Sequence, residues 1–320
     1  MNFIQPLKDN IIDTSKLKDY QRCSRYFFYR HVLGWDTESP NNHLIFGSAW
    51  HLAMEHLLLH GYDNLSILGA YEKFLNYYRS YFPESTDALF GTKTPDTAFI
   101  ALSHYASNPS YQKDLEDNEV LYTEIAGKVA VTEEDSLAFR MDSILKNKVT
   151  GKMFSREHKT GSYTYLWDEQ WMLDLQPGSY SHVLYCLYPF ELVDRVEMNA
   201  TFFMKRKKDP IELHRLDVRK NKDQMNVWLG RVRYLIWEIK REYDILMNFS
   251  KEDDALLSAF PLRDTNCIYY NKVCPFMDFC LAWPNPLRRA YEPPLGFTKR
   301  IWNPLEEEAK KTFNFERKEY

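Results

Sequence analysis

Between about residue 119 and residue 160 the hydrophobic pattern changes period, and that change limits the fold more than any other feature. Residues 121–132 and 137–146 form two strand-like runs separated by the acidic turn Glu133, Glu134, Asp135. A third short run, 153–159, ends at the break Thr160-Gly161. A helical pattern follows from about Asp168 to Tyr188, then an extended run over 195–205. A long helix is predicted over 223–249, where Met225, Trp228, Leu229, Val232, Leu235, Ile236 and Ile239 repeat at helical spacing. Strands interleaved with helices in this order predict an α/β chain with a mixed sheet flanked by helices.

Upstream of the change the pattern is helical. Residues Thr14 to Trp35 read as one helix, with Ser15 as N-cap and Leu17, Tyr20, Ser24, Phe27 and Phe28 along one face. A second helix begins near Gly47 and stops at Gly61, which sets His51 and Glu55 four apart on one face. From Asn64 to about Asn118 the chain stays helical and Tyr-rich, broken by the turn-rich stretch Pro83 to Pro95. This reads as an N-terminal helical insertion over residues 62–119.

Hydrophobic residues at 44% and charged residues at 27% are ordinary for a folded chain. A net charge of -4 does not announce a nucleic-acid partner, although carboxylates gathered around a cation can make a protein acidic while it still holds phosphate locally. Lys205, Arg206, Lys207 and Lys208, followed by Arg215, Arg219 and Lys220, form a candidate phosphate contact; a solvated strand end is the alternative. No apolar run reaches the roughly 18 residues that span a bilayer, and the N-terminus has neither the basic start nor the apolar stretch of a signal peptide. A cytoplasmic location without membrane partners is expected, host cytoplasm if the chain is viral.

The chemistry concentrates on the strands. Side chains two apart on a strand share a face, so Glu157 and Lys159 point the same way, and Asp142 on a neighbouring strand can meet them. Phosphodiester hydrolysis needs such a set: two carboxylates to hold Mg²⁺ or Mn²⁺, and a lysine to orient water or stabilise developing charge. A lone Glu-x-Lys is more often a solvated, salt-bridged face. Ser155, Arg156 and His158 make this strand polar and predict an edge or partly exposed position.

Five cysteines in a chain without a secretory signal argue against a disulfide framework. Cys267, Cys274 and Cys280 cluster near the C-terminus, and with Cys23 they make four thiolates. Four Cys suit a four-iron four-sulfur cluster or structural Zn²⁺. Burial as ordinary apolar thiols is the plain alternative, and Cys186, at LYCLY, is assigned to it.

Five ordered pieces carry a resemblance: S-K-L-K-D-Y-Q-R-C at 15–23, G-S-A-W-H at 47–51, the Asp142 strand, E-H-K-T-G at 157–161 and Q-P-G-S-Y at 176–180. Together they resemble the PD-(D/E)XK nucleases, and among them the RecB-like group that includes the AddB nuclease domain and the CRISPR-associated exonucleases with an iron-sulfur cluster. The resemblance implies a restriction-endonuclease-like core over residues 1–320 as a single nuclease domain, with the cysteine-containing segment 265–320 packed on the N-terminal helix. It implies Asp142, Glu157 and Lys159 at the catalytic centre, His51 as a further metal ligand, and Gln176 and Tyr180 facing the scissile region or the DNA. Glu124 matches an acidic position on the preceding strand. The cysteine layout also resembles the iron-sulfur members, with one cysteine in the first helix and three near the C-terminus, the last two separated by five residues, and Cys-Pro at 274–275. The implied cofactors are Mg²⁺ or Mn²⁺ and a 4Fe-4S cluster, with structural Zn²⁺ as alternative.

The expected activity is a DNA nuclease, exonuclease or end-processing, acting on DNA that is single-stranded or has free ends in recombination, repair or the replication of a virus or mobile element. No Walker motif is present, so a helicase or recombination partner would be another chain. The alternatives are a catalytically weak DNA-binding or scaffold subunit, which intact Asp142, Glu157 and Lys159 argue against, and a metal-stapled interaction protein.

Overall fold

A six-stranded sheet organises the chain, and its order places the Glu-x-Lys strand inside rather than at an edge. The computed structural model describes residues 4–7, 11–162, 165–205, 208–248, 256–269, 272–305, 311–316 and 319–320. The first helix, α1 (Thr14–Arg22), is capped by Asp13, whose carboxylate accepts from the Lys16 N–H, so Ser15 is inside the helix and is not its cap. The expected continuous helix to Trp35 is broken at Cys23, which is extended at φ -164° and ψ 118°. The chain resumes as α2 (Ser24–Phe27), tightens into a π-helical turn over Phe28–Val32, and ends in strand β1 (Trp35–Thr37).

Helix α3 (Asn42–His60) starts a full turn before the expected Gly47 because the Asn41 side chain caps it. Helices α4 (Asn64–Arg79), α5 (Pro95–Ser107) and α6 (Pro109–Asp117) follow, capped by Asp63, Thr94 and Asn108, with proline at the first position of the last two. The sheet then begins with β2 (Asn118–Ala130), β3 (Ser136–Asn147) and β4 (Met153–Gly161), all antiparallel neighbours. Helices α7 (Trp167–Met172) and α8 (Leu175–Leu187) cross over to β5 (Val193–Phe203), which runs parallel to β4. One helix was expected over 168–188; it is divided because Asp174, extended, caps α8.

Strand β6 (Ile211–Val218) pairs antiparallel with β5, and α9 (Lys222–Met247) follows. The C-terminal part adds the ribbon β7 (Ile268–Tyr269) and β8 (Lys272–Val273), helix α10 (Met277–Ala282), β9 (Phe297–Lys299) against β1, and β10 (Lys311–Phe315) parallel to β2. The sheet order is β10-β2-β3-β4-β5-β6. The polar strand β4 is therefore central, and its residues Met153 to His158 are all buried. Close approach of β10 to β2 requires glycine at 127, where a Cβ would stand 1.8 Å from the Phe313 carbonyl oxygen.

Among the described residues two large apolar cores lie against the sheet, beside a small cluster of Leu58, Leu145 and Phe154. The larger packs α1, α8 and α9 through residues such as Leu17, Val183, Leu184, Leu229 and Ile236 against Ile125, Met141 and Met198. The second joins α3, α4 and α5 through Phe46, Trp50, Phe74 and Leu102 to Phe203 and Ile211. Full burial of each such side chain stabilises by about 1.5–3 kcal/mol. The helices over 64–117 are thereby anchored to the ends of β5 and β6. Among the described residues no helix is long and apolar enough to cross a membrane.

Candidate active site

The β3–β4 ladder stops at the pair Ser143 and Arg156, one residue short of Asp142 and Glu157. Beyond it Asp142 takes over the backbone's role: its Oδ2 accepts from the His158 N–H at 2.7 Å and lies 2.8 Å from His51 Nδ1. On β4, Glu157 Oε1 accepts from Lys159 Nζ at 2.6 Å and from Gln176 Nε2 at 3.1 Å, and Gln176 also donates to the Tyr180 hydroxyl at 2.7 Å. Helical spacing on α8 puts Gln176 and Tyr180 on one face. The glycine between them, Gly178, lets α8 reach α9, since a Cβ there would stand 2.1 Å from the Trp228 ring.

The site is closed below and open on one side. Glu157 is 3% exposed, whereas the His51, Asp142 and Lys159 side chains are 29%, 17% and 25% exposed. Ligand atoms of His51, Asp142 and Glu157 all lie within 4.8 Å of one another, and among the described residues no other group of three His, Cys, Asp or Glu does so. Glu157 Oε2 is buried without a hydrogen-bond partner among the described residues. A buried carboxylate oxygen with no donor is costly, and a divalent cation at these atoms would satisfy it. The residues present fit Mg²⁺ or Mn²⁺.

The electrostatics agree. Burial, then the Asp142 charge, push the Glu157 carboxyl upward, and the same two causes raise Glu124 to about 7. Burial alone would raise Asp142 and lower His51, but their mutual attraction wins, holding Asp142 down to about 2 and His51 up to about 9. Even with His51, Lys159 and Arg140 among these carboxylates, burial and the Asp142 charge leave Glu157 disfavoured as an anion, which is the situation a bound cation relieves. Burial raises the Tyr180 phenol well above its usual range, so it stays protonated. Glu124 faces this set from β2 with φ +46°, its carboxylate 3.3 Å from Arg140.

Asp142, Glu157, Lys159, His51, Gln176 and Tyr180 are thus brought together. Three further residues join them. Lys18, inside the first resembled piece, pairs with Asp174 at 2.7 Å, and Asp174 accepts from the Gln176 N–H at 2.8 Å, so α1 and α8 are tied at the site. Trp171 lies beneath both amines, 5.8 Å from Lys18 Nζ and 5.6 Å from Lys159 Nζ. An aspartate two residues before Gln176 is a cap signal legible in the sequence; Trp171 gives no such signal.

The basic candidates divide differently. Lys205 and Lys208 are exposed, while Arg206 and Lys207 lie outside the described residues. Arg215 is not a free phosphate contact: it pairs with Asp114 and lies 3.6 Å from Glu197. Arg219 pairs with Asp194 and Asp217, and Lys220 donates to the Met172 carbonyl. The Arg215 and Arg219 charges are paired within the fold, whereas Lys220 is tied to a carbonyl alone.

Cys23, Cys267, Cys274 and Cys280 line one cavity, together with Arg22 and Phe276. The break at Cys23 opens the N-terminal helix towards the C-terminal segment, and hydrogen bonds hold the two together. Ser24 Oγ donates to the Pro261 carbonyl at 2.6 Å, Arg25 to those of Phe260 and Leu257, and Asn266 to that of Arg22. The Cys274 N–H donates to the Cys267 carbonyl at 2.8 Å. Burial raises the Cys274 thiol and pushes Cys280 up to about 12. Cys186 lies elsewhere, on α8.

The sequence profile of the PD-(D/E)XK nuclease superfamily matches residues 14–281. No curated protein sequence matches the chain. Among solved structures it is similar to a candidate exonuclease from Eubacterium rectale, at 12% identity and a TM-score of 0.46 over 71% of this chain and 80% of that one. It is also similar to the protein SSO0001, at 14% identity and a TM-score of 0.26 over 71% of this chain and 90% of that one.

Proposed function

Because the chain belongs to the PD-(D/E)XK nuclease superfamily, we propose that it is a divalent-metal-dependent DNA nuclease of the RecB-like branch, acting on strands that are single or have free ends. The observation that carries this reading is the convergence of His51, Asp142 and Glu157, with one Glu157 oxygen left without a donor. Mg²⁺ or Mn²⁺, when bound, supplies phosphoryl polarisation and a water acidified near neutral pH. The chain's own groups do the rest. Asp142, Glu157 and His51 hold the cation's place at the end of the β3–β4 ladder. Lys159 presents a permanent positive charge to the side where charge develops on the phosphate, since Glu157 offsets its burial and raises its pKa. Gln176 fixes the Glu157 carboxylate, and Tyr180 offers a proton-bearing hydroxyl beside it.

End-labelled single-stranded, duplex and circular DNA incubated with Mg²⁺ or Mn²⁺ tests the reading. Metal-dependent cleavage of strands with ends is expected. Binding without cleavage under either metal would overturn it in favour of a DNA-binding or scaffold subunit. A cytoplasmic setting in recombination, repair or mobile-element replication, with any helicase on another chain, belongs to the same proposal.

The four cysteines belong to the proposal as ligands of a 4Fe-4S cluster that staples the N-terminal helix to the C-terminal segment. All four thiols line one cavity, which suits either metal centre, and the spacing of their sulfurs, no three within 4.8 Å of one another, favours iron-sulfur over zinc. Tetrahedral zinc, with Zn–S of about 2.3 Å, needs sulfurs under about 4 Å apart. Protein purified anaerobically should be brown and lose its colour on chelation or oxidation; a colourless protein with stoichiometric zinc would replace the cluster by a zinc staple.

A further inference from the structure

One buried cation near the site has no acid to answer it. Lys93 lies in the turn between α4 and α5, its side chain and backbone 7% exposed, with Nζ 3.1 Å from Thr160 Oγ1 and 3.4 Å from the Thr160 carbonyl oxygen. Among the described residues no carboxylate lies within ion-pair distance of it. Other buried cations near acids are answered by them, as Arg156 meets Glu197 and Asp114 and Lys16 has Asp13 beside it, while Arg25, away from the site, donates to two backbone carbonyls. The Phe46 ring, 5.5 Å from Nζ, returns part of the cost of burying this ammonium against neutral oxygens, and no carboxylate returns the rest. Burial accordingly lowers Lys93 to about 8, with no neighbouring charge contributing.

The position of this lysine is fixed. Thr92 donates to the Phe203 carbonyl at 3.3 Å, so the turn is pinned across the C-terminal ends of the parallel strands β4 and β5. Thr160, which receives the amine, directly follows Lys159. Gly47, four residues before His51 on α3, faces the same threonine: a Cβ there would be 4.0 Å from Thr160 Oγ1. Other basic groups surround the spot. His43, exposed on the first turn of α3, is lowered by burial and then by the charges of Lys93 and Lys272, with no acid acting on it. The hydrocarbon end of Lys205 packs against Gly91, two residues from Lys93. In a chain of net charge -4, Lys93, Lys205 and Lys272 bring basic side chains to one side of the catalytic strand.

We propose that Lys93, with His43 and Lys272 around it, is a phosphate-binding site that takes one phosphate of the nucleic-acid strand next to the one being cut. This rests on the nuclease reading. The bound phosphate supplies the counter-charge that the fold withholds, and it fixes the strand's path past Lys159. The same chemistry would take an internal phosphodiester or a terminal phosphate.

Binding of labelled single-stranded DNA, measured in EDTA so that nothing is cut, tests the site over a range of salt concentrations. Lys93→Met should weaken binding about tenfold and reduce the slope of log affinity against log salt by about one, while Lys93→Arg keeps both. The melting temperature of Lys93→Met should not fall, because a buried uncompensated charge is removed. Equal loss on 5′-phosphorylated and 5′-hydroxyl strands assigns an internal phosphodiester; loss confined to the phosphorylated strand assigns a terminal phosphate. Unchanged affinity and slope, or a fallen melting temperature with unchanged slope, overturns the proposal and makes Lys93 a structural tie to Thr160. Should Lys93→Met fail to fold, the exposed variant Lys272→Ala decides: a reduced slope supports the site and an unchanged one overturns it. If the unsubstituted protein neither binds DNA in EDTA nor cleaves it with Mg²⁺ or Mn²⁺, the nuclease reading fails and takes this site with it, an outcome distinct from a silent Lys93.

Discussion

Neighbouring residues of β4 send charge to opposite faces of one sheet, and the fold treats them in opposite ways. Arg156, 1% exposed, is saturated: its Nε donates to Glu197 at 2.6 Å and its Nη2 to Asp114 at 2.8 Å, and Arg215 and Arg195 close the network around the same acids. Glu157, one residue on, is equally buried but keeps an oxygen without a donor. A buried ion network complete within the chain fixes where α6 sits on the sheet and has nothing left to offer a ligand. An incomplete set stores an unmet demand, which a cation can meet. The contrast separates structural charge from functional charge on a single strand.

The sharpest way to break the comparison is to remove each class in turn. Asp142→Ala, Glu157→Ala and Lys159→Ala should each lower metal-dependent cleavage about 10²–10³-fold or more, as losing one electrostatic partner of a transition state does. Glu157→Ala should hold or raise the melting temperature, because burial and the Asp142 charge disfavour its ionised form, whereas Asp142→Ala, which strips the acceptor from the His158 N–H, and Lys159→Ala, which leaves Glu157 buried without its amine, should lower it. Thermal unfolding alongside cleavage rates checks this. Loss of stability in Glu157→Ala equal to that in Glu197→Ala would make both faces structural.

On the other face the effect should fall on stability. Glu197→Ala leaves Arg156 buried beside Asp114 alone and should cost about 3–5 kcal/mol in urea unfolding. Activity should be lost only as the protein unfolds. Burial alone would raise Glu197, but the Arg156, Arg215 and Arg195 charges hold it down to about 2, from an ordinary 4.5. A depressed folded-state value stabilises fully above about 4.5 and is lost as pH falls towards about 2, so unfolding curves should converge with those of Glu197→Gln across that window.

The two faces were unequally legible in the sequence. Asp142, Glu157 and Lys159 could be read because strand periodicity alone brings them together, and His51, Gln176 and Tyr180 because their pieces stand in a fixed order around them. The central position of β4 could not: Ser155, Arg156 and His158 look solvated until Glu197 and Asp114, 41 and 42 residues from Arg156, answer the charge. The break at Cys23 was hidden because apolar residues recur on both sides of it at helical spacing. Strand β6 escaped notice because most of its side chains are charged or half-buried, as on an edge. Lys93 gave no local signal, since its partner Thr160 lies 67 residues on.

A third region sharpens the contrast, since the cysteine cavity is another incomplete set, built of thiols and not of carboxylates. Ligation there would close a loop of about 250 residues between Cys23 and the C-terminal cysteines, worth about 5.5 kcal/mol by chain entropy. Cys23→Ala and Cys280→Ala should lower the melting temperature well beyond Cys186→Ala, with metal content falling in parallel. A protein that keeps normal stability after Cys23→Ala and carries neither iron nor zinc would remove this site from the functional class.

The smallest effect is expected where a residue serves the incomplete face without belonging to its ligand set. Gln176 donates to Glu157 and to Tyr180, and its own N–H is held by Asp174, so it orients the carboxylate from outside. Gln176→Ala removes one hydrogen bond to a charged group while Lys159 still holds Glu157 Oε1, a loss of about 1.5 kcal/mol, or about tenfold in cleavage rate. Mn²⁺ affinity, measured by titration in the same variant, should change less than the rate, because both Asp142 and His51 are untouched. A collapse of Mn²⁺ affinity with DNA binding intact would place Gln176 among the groups that hold the metal. An unchanged rate would return it to the ordinary surface of α8, and would show that Lys159 alone is enough to aim Glu157.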